Sequence, residues 1–310
     1  MSYKLHQPSY IKEILDKFGF KFSKALGQNF LIDGNLIENI IDYSDITKDD
    51  YVIEIGPGFG TLTERLVDKC KFLYSIEIDS RLMDVLKYTV GDRENFKIIN
   101  EDVLKVDLNE LNHEDKKFKV VANLPYYITT PIIEHLFNYR DIIESITVMV
   151  QKEVANRMVA DVGSKDYASL SLFVKQNSDA KIILNAPKTV FMPQPKVDSA
   201  VVNMKLKKLD EDIDQELLRQ LIRSGFSKRR KTILNSFTSG FVNVNKEKLK
   251  AILQELGLKE NLRAENLSLE DYKNIVKKLS LIDLDFQIRV YIKYRLLRRY
   301  FYERCSNLYK

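Results

Sequence analysis

Tyr51-Val52-Ile53-Glu54-Ile55-Gly56-Pro57-Gly58-Phe59-Gly60 is the stretch on which the fold turns. Its first five residues form a short apolar run, the pattern of a central strand. The run passes directly into a glycine loop, and Leu62, Leu66 and Val67 then mark the inward face of a helix. Strand, glycine loop and helix in this order open the nucleotide-binding half of a doubly wound α/β fold. The glycines are spaced G-x-G-x-G rather than G-x-G-x-x-G, and no G-x-x-x-x-G-K-[ST] occurs. The loop therefore suits an uncharged nucleoside better than a gripped phosphate. A glycine loop alone is a weak signal and needs support from the neighbouring strands.

Three further strand ends supply that support. The strand Phe72–Ile78 closes on Glu77, which lies 21 residues after Gly56. A carboxylate at that separation is where ribose hydroxyls are accepted. The strand Phe96–Ile99 is followed by Asp102, a carboxylate able to accept from an adenine amine. The strand from Phe118 ends in Asn123-Leu124-Pro125-Tyr126, stopped by a proline that cannot donate to a sheet ladder. The Asn123 side-chain oxygen can accept from an exocyclic amine, and Tyr126 offers a flat face for a base. Each residue alone reads as an ordinary turn residue. Gly56, Glu77, Asp102 and Asn123 at the carboxyl ends of successive strands read as a nucleoside site with an amide acceptor beside it. Strands at Ser145–Val150, Lys181–Leu184 and Asp198–Leu206 bring the count to seven.

Upstream, Ile11, Ile14, Leu15 and Phe18 share one helical face, and Asp33 caps a helix whose apolar face is Leu36, Ile37, Ile40 and Ile41. Between them, Lys21–Leu31 alternates basic and aromatic residues. Spacing alone leaves a ligand-facing loop and a plain linker equally supported. Downstream, Pro187–Pro195 is a proline-punctuated loop holding Phe191. Past Lys208 the β-branched runs stop, and Leu217–Leu279 reads as short helices. The expected domains are thus 1–208, 209–280 and a tail, 281–310. The run Lys228-Arg229-Arg230-Lys231 is expected on a helix, as an RNA phosphate contact or a solvated face. The tail carries seven Lys or Arg and three acids among aromatics, which fits either a packed helix or an RNA-binding extension.

Composition bounds the rest. The 310 residues are 45% hydrophobic and 30% charged, with a formal net charge of +5, enough for a full core and permissive of an anionic partner. The two cysteines, Cys70 and Cys305, form no C-x-x-C, and His6, His113 and His135 are scattered, so no metal site is expected. No signal core or membrane-spanning run occurs, so a cytoplasmic setting with no membrane partner is the expectation.

As a set, Gly27-Gln28-Asn29-Phe30-Leu31, Glu54–Thr63, Glu77-Ile78-Asp79, Asn123-Leu124-Pro125-Tyr126 and Phe191–Ser199 resemble the ribosomal RNA adenine dimethyltransferase family, over about residues 20–280. The resemblance is closest to its small-subunit branch, which acts on 16S rRNA. It implies a seven-stranded, Rossmann-like, class I methyltransferase fold with a small C-terminal helical domain. It implies S-adenosylmethionine as cofactor, held by Asn29, Leu31, Gly56, Glu77, Asp102 and Asn123. It also implies a monomer that meets 16S rRNA within the small ribosomal subunit. Asn123 and the Leu124 carbonyl, set by Pro125, would accept the target amine's hydrogens. Tyr126 would stack on the base, with Phe191 over its other face. The rivals are a large-subunit (23S) methyltransferase of the antibiotic-resistance type and a non-catalytic assembly factor that binds RNA. A dehydrogenase is remote, because no catalytic His or Tyr-Lys pair stands at a strand end.

Overall fold

The structure is a computed structural model and describes residues 5–23, 26–228, 230–240 and 245–281. Nine strands are described: β1 (Phe30–Leu31), β2 (Tyr51–Ile55), β3 (Phe72–Glu77), β4 (Phe96–Asn100), β5 (Phe118–Asn123), β6 (Ile143–Gln151), β7 (Ser178–Ala186), β8 (Phe191–Met192) and β9 (Ser199–Leu206). Ten named helices accompany them: α1 (Pro8–Phe18), α2 (Gly34–Tyr43), α3 (Thr63–Lys69), α4 (Met83–Val90), α5 (Thr129–Phe137), α6 (Lys152–Val159), α7 (Ser169–Asn177), α8 (Gln215–Ser227), α9 (Ile233–Gly240) and α10 (Lys246–Glu255). A final helical stretch covers 269–281. No described helix is long and apolar enough to cross a membrane.

Seven strands form one sheet in the order β4-β3-β2-β5-β6-β9-β7. The first five in that order pair in parallel, and β9 runs antiparallel to both its neighbours. The chain builds β2, β3 and β4 outward in one direction, then returns to lay β5 and β6 on the other side of β2. The reversal opens a crevice at the carboxyl ends of β2 and β5, where open α/β sheets bind ligands. Every residue of β2 is buried, as both faces of a covered parallel strand require. No residue of the edge strand β4 is fully buried, and Lys97 and Asn100 are exposed.

The described residues of Lys21–Leu31 divide their work between core and cleft. Phe20, Phe22 and Phe30 pack with Phe59 of the glycine loop, and the rings of Phe30 and Phe59 stack with centroids 4.0 Å apart. The segment ends in β1, which pairs antiparallel with β8 across some 160 residues, Leu31 opposite Phe191. Two-residue strands show no readable period, so the sequence gives no sign of this ladder. Asp33 caps α2 as expected, accepting from Leu36 N–H at 2.8 Å.

The chain divides into two compact units. The larger holds the residues through Ala160 together with Val174–Lys208, and the smaller holds Asp161–Phe173 with the residues from Leu209. Within the smaller unit, α8 buries Leu218, Leu221 and Ile222, and Phe237 packs beside the buried Tyr272. Tyr167 donates its hydroxyl to the Leu267 carbonyl at 2.9 Å. That bond satisfies a buried polar group and ties the 161–173 segment to the same unit.

Lys228, Arg230 and Lys231 of the basic run are not on a helix. α8 stops at Ser227, Lys228 has left helical geometry, and the Lys231 N–H turns back to the Lys228 carbonyl at 2.9 Å. Continuing the helix would place like charges one turn apart along one face, which is unfavourable. Lys228, Arg230 and Lys231 therefore lie on the turn before α9, and Arg229 lies outside the described residues. The tail from 282 also lies outside them.

Candidate active site

The crevice at the switch point is a cleft of about 820 Å³, its open mouth included. Its lining includes Gly27, Gln28 and Asn29 from the N-terminal segment, Gly56 and Gly58 after β2, and Glu77 and Ile78 at the end of β3. It also includes Asp102 and Val103 after β4, and the run from Asn123 to Ile128 after β5. Asn29, Gly56, Glu77, Asp102, Asn123, Leu124, Pro125 and Tyr126 are thus gathered around one space. Leu31 and Phe191 do not line it. Both are 3% exposed and sit in the hydrophobic core behind the cleft. Phe191 is held there by its pairing with Leu31.

Gly56 and Asn123 are brought together by register, since Ile55 stands opposite Ala122. A side chain at Gly56, where φ is +70°, would begin 3.6 Å from the Asn123 carbonyl and fill the cradle between the two strands. At Gly58 the φ is +60°, and a Cβ would stand 2.6 Å from the Phe30 ring. Only glycine accepts both the backbone conformation and that approach.

The Asn123 side chain is oriented by the chain itself. Its Nδ2 donates to the Asn29 carbonyl at 2.9 Å, and Asn29 Nδ2 donates in turn to the Gly27 carbonyl at 3.0 Å. The amide nitrogen is thereby engaged, and no donor among the described residues reaches Oδ1. An acceptor oxygen is left fixed beside Leu124. Tyr126 is half-buried, its hydroxyl 2.7 Å from Ser199 Oγ, and burial pushes its pKa upward. Tyr127, 60% exposed, lies against Gly27 at the mouth.

Two carboxylates face the other half of the cleft. Glu77 is buried, accepts from the Gly58 and Asp79 N–H groups at 3.3 and 2.9 Å, and is pushed up to about 7, chiefly by burial. Asp102 spends one oxygen on the Leu104 N–H at 3.0 Å. Between them, Ile76, Ile78, Leu82 and Val103 form an apolar wall. The composition suits an uncharged nucleoside: acceptors for hydroxyls and an amine, a wall for a base, and glycines where backbone must approach closely.

Two supports escape the reading of the sequence. Gln28 donates to Asp79 at 2.7 Å and accepts the Ser23 N–H at 2.8 Å, while Arg81 pairs with Asp79 at 2.6 Å. This pins the N-terminal segment against the end of β3. Glu54 is 1% exposed and accepts from Thr63 Oγ1 at 2.7 Å and Ser75 Oγ at 2.6 Å, joining β2, β3 and α3 behind the loop. Burial pushes it up to about 7 as well. An acid inside an otherwise apolar strand is the available signal for Glu54. Nothing local distinguishes Gln28.

The model of the family described as ribosomal RNA adenine dimethylase matches residues 19–281. The "Ribosomal RNA small subunit methyltransferase A" of Alkaliphilus metalliredigens is 44% identical over 285 residues, covering 89% of this chain and 98% of the relative. That of Oceanobacillus iheyensis is 45% identical over 275 residues, covering 86% and 94%. Among solved structures, a dimethyladenosine transferase from Plasmodium falciparum superposes with a TM-score of 0.69 at 28% identity, covering 79% of this chain and 95% of that one. The 23S rRNA methyltransferase ErmE shares the fold, with a TM-score of 0.63 at 24% identity over 81% of this chain and 99% of its own.

Proposed function

The chain belongs to the ribosomal RNA adenine dimethylase family, S-adenosylmethionine-dependent methyltransferases of rRNA adenine, and on that premise we propose its targets and the residues that act on them. It methylates N6 of two adjacent adenosines in a hairpin loop near the 3′ end of 16S rRNA, giving dimethyladenosines as the small ribosomal subunit is made. The small-subunit assignment follows the names of the relatives. The observation that carries the mechanism is the Asn123 amide, held by Asn29 so that its oxygen stands free at the switch point.

Glu77 would hold the ribose hydroxyls of S-adenosylmethionine and Asp102 its adenine amine, with Gly56 at its amino-acid end and Asn29 over it. When bound, the donor supplies a methyl carbon made electrophilic by its sulfonium. The chain's own task is to prepare a poor nucleophile, because the adenine N6 lone pair is delocalised into the ring. Asn123 Oδ1 and the Leu124 carbonyl accept the amine's hydrogens. This favours a pyramidal nitrogen with its lone pair out of the ring plane. Positioning and electrostatics carry the step, and no side chain need act as base before transfer. The proton left on nitrogen departs to water. Tyr126, braced by Ser199, stacks on the target base, which must leave its own stack to enter. Leu31 supports this arrangement from the core rather than by touching either ligand.

The test is a time course on unmethylated small-subunit particles, read by nucleoside digestion. Singly methylated adenosine should precede the dimethylated product, because the donor must be exchanged between rounds. Methylation stopping at one group per adenosine would contradict the dimethylation reading.

A further inference from the structure

A second cleft opens in the larger unit beside the first. Gln151, Lys152, Lys188, Lys196 and Asp198 are among its lining, around about 670 Å³ that includes open solvent. Its three lysines come from three separate segments: the start of α6, the turn before β8 and the loop before β9. Asp198 ties those segments together. Its carboxylate accepts the Lys188 N–H at 2.9 Å, its carbonyl accepts the Lys152 N–H at 3.0 Å, and Lys196 stands two residues away. All three lysines are exposed, and none is ion-paired among the described residues. Glu153, the other acid on the lining, pairs with Arg157. The cleft keeps a net positive charge that the protein does not neutralise.

Its position gives that charge a use. Gln151 and Ala186 both stand opposite Ser199 in the sheet, and Ser199 Oγ is the partner of the Tyr126 hydroxyl. The lysine cleft therefore begins one residue from the group that braces the proposed base-stacking ring. We propose that Lys152, Lys188 and Lys196 form a phosphate-binding subsite for the RNA strand next to the target adenosine. The proposal rests on the function given above and adds where the backbone is held. An ammonium is a compact point charge suited to phosphate, and contacts of this kind fix register without reading sequence. A base turned out of its stack needs its flanking phosphates held, or entry into the cleft is disfavoured. The lysines act by positioning the substrate.

The experiment compares Lys152→Gln/Lys188→Gln/Lys196→Gln with a control of equal charge change, Lys12→Gln/Lys48→Gln/Lys97→Gln. The control lysines are likewise exposed and unpaired among the described residues, and they stand on α1, before β2 and on β4. Calorimetry with S-adenosylmethionine and a thermal melt should match wild type for both variants. Binding to unmethylated 16S rRNA is followed against salt, and turnover is followed on small-subunit particles. For the cleft variant the log–log salt slope should fall by up to about 0.7 for each phosphate no longer neutralised. The KM for particles should rise about tenfold, as expected for three screened surface contacts, with kcat retained. Equal losses in both variants would mean a general charge effect and overturn the proposal, as would an unchanged slope. An unchanged slope on RNA with lost turnover on particles would mean that the cleft faces a protein, which also overturns it. Wild-type binding with no methyl transfer would instead sink the proposed function, while the slope comparison still reads the phosphate contacts.

Discussion

Asn123 has one polar end spent and one end free, and the proposed acceptor role depends on that division. Nδ2 is engaged by Asn29, so the oxygen is held without further cost when a substrate amine arrives. Asn123→Ala should lower the methyl-transfer rate by about 10²–10³-fold, the usual cost of losing one preorganised polar group at a reacting centre. Donor affinity should change far less. Single-turnover kinetics beside calorimetry separates the two, and a near wild-type rate would remove the acceptor role. Glu77 adds a pH signature. Burial raises it to about 7 in the free protein, whereas ribose hydroxyls donate best to the ionised carboxylate. Donor binding should therefore expel a proton, and affinity should rise as pH increases through about 7 and level off above it. Glu77→Gln should bind weakly with little pH dependence. Glu54→Gln should keep most of the dependence, because that carboxylate turns to Thr63 and Ser75. Affinity independent of pH from about 5.5 to about 8 in wild type would contradict the assignment, since a group titrating near 7 must show in that window. The acceptors are legible in the sequence because each closes a strand run at a turn signal. Phe191 is not, because its burial depends on pairing with Leu31, and no local pattern in either segment announces that pairing.

At the scale of elements, the glycine loop and the N-terminal segment form one packed object. Phe30 lies on the loop where any side chain at Gly58 would begin. Gly58→Ala should cost about 1–2 kcal/mol from the left-handed backbone alone, with more from displacing Phe30. A lower melting temperature together with weaker donor binding is expected, and a variant that melts and binds like wild type would mean that the loop relaxes freely. The seven strands are readable in the sequence because short apolar runs punctuated by Gly, Pro and Asn carry their own boundaries. No capping residue marks the end of α8, so the basic run reads as a continuation of the helix. Its departure follows from charge crowding after Ser227 and from the next helix starting close behind it.

At the scale of the whole molecule, the larger unit holds the proposed active site, and the smaller is where a separate RNA-docking surface is expected. The 161–173 segment belongs with the smaller unit through contacts such as Tyr167 with Leu267, far apart in sequence and invisible to composition. Replacing Lys228, Arg229, Arg230 and Lys231 by Gln should weaken RNA binding and flatten its salt dependence by up to about 0.7 for each phosphate released. An unchanged slope would return the run to a solvated turn. The most direct measurement offers the wild-type protein a choice. Unmethylated small-subunit particles and large-subunit rRNA are incubated with labelled methyl donor, and each is digested to nucleosides. The predicted result is label in N6,N6-dimethyladenosine from the small subunit alone, at two adjacent positions near the 3′ end. Label confined to large-subunit rRNA, or no label in either RNA from protein that binds the donor, would contradict it.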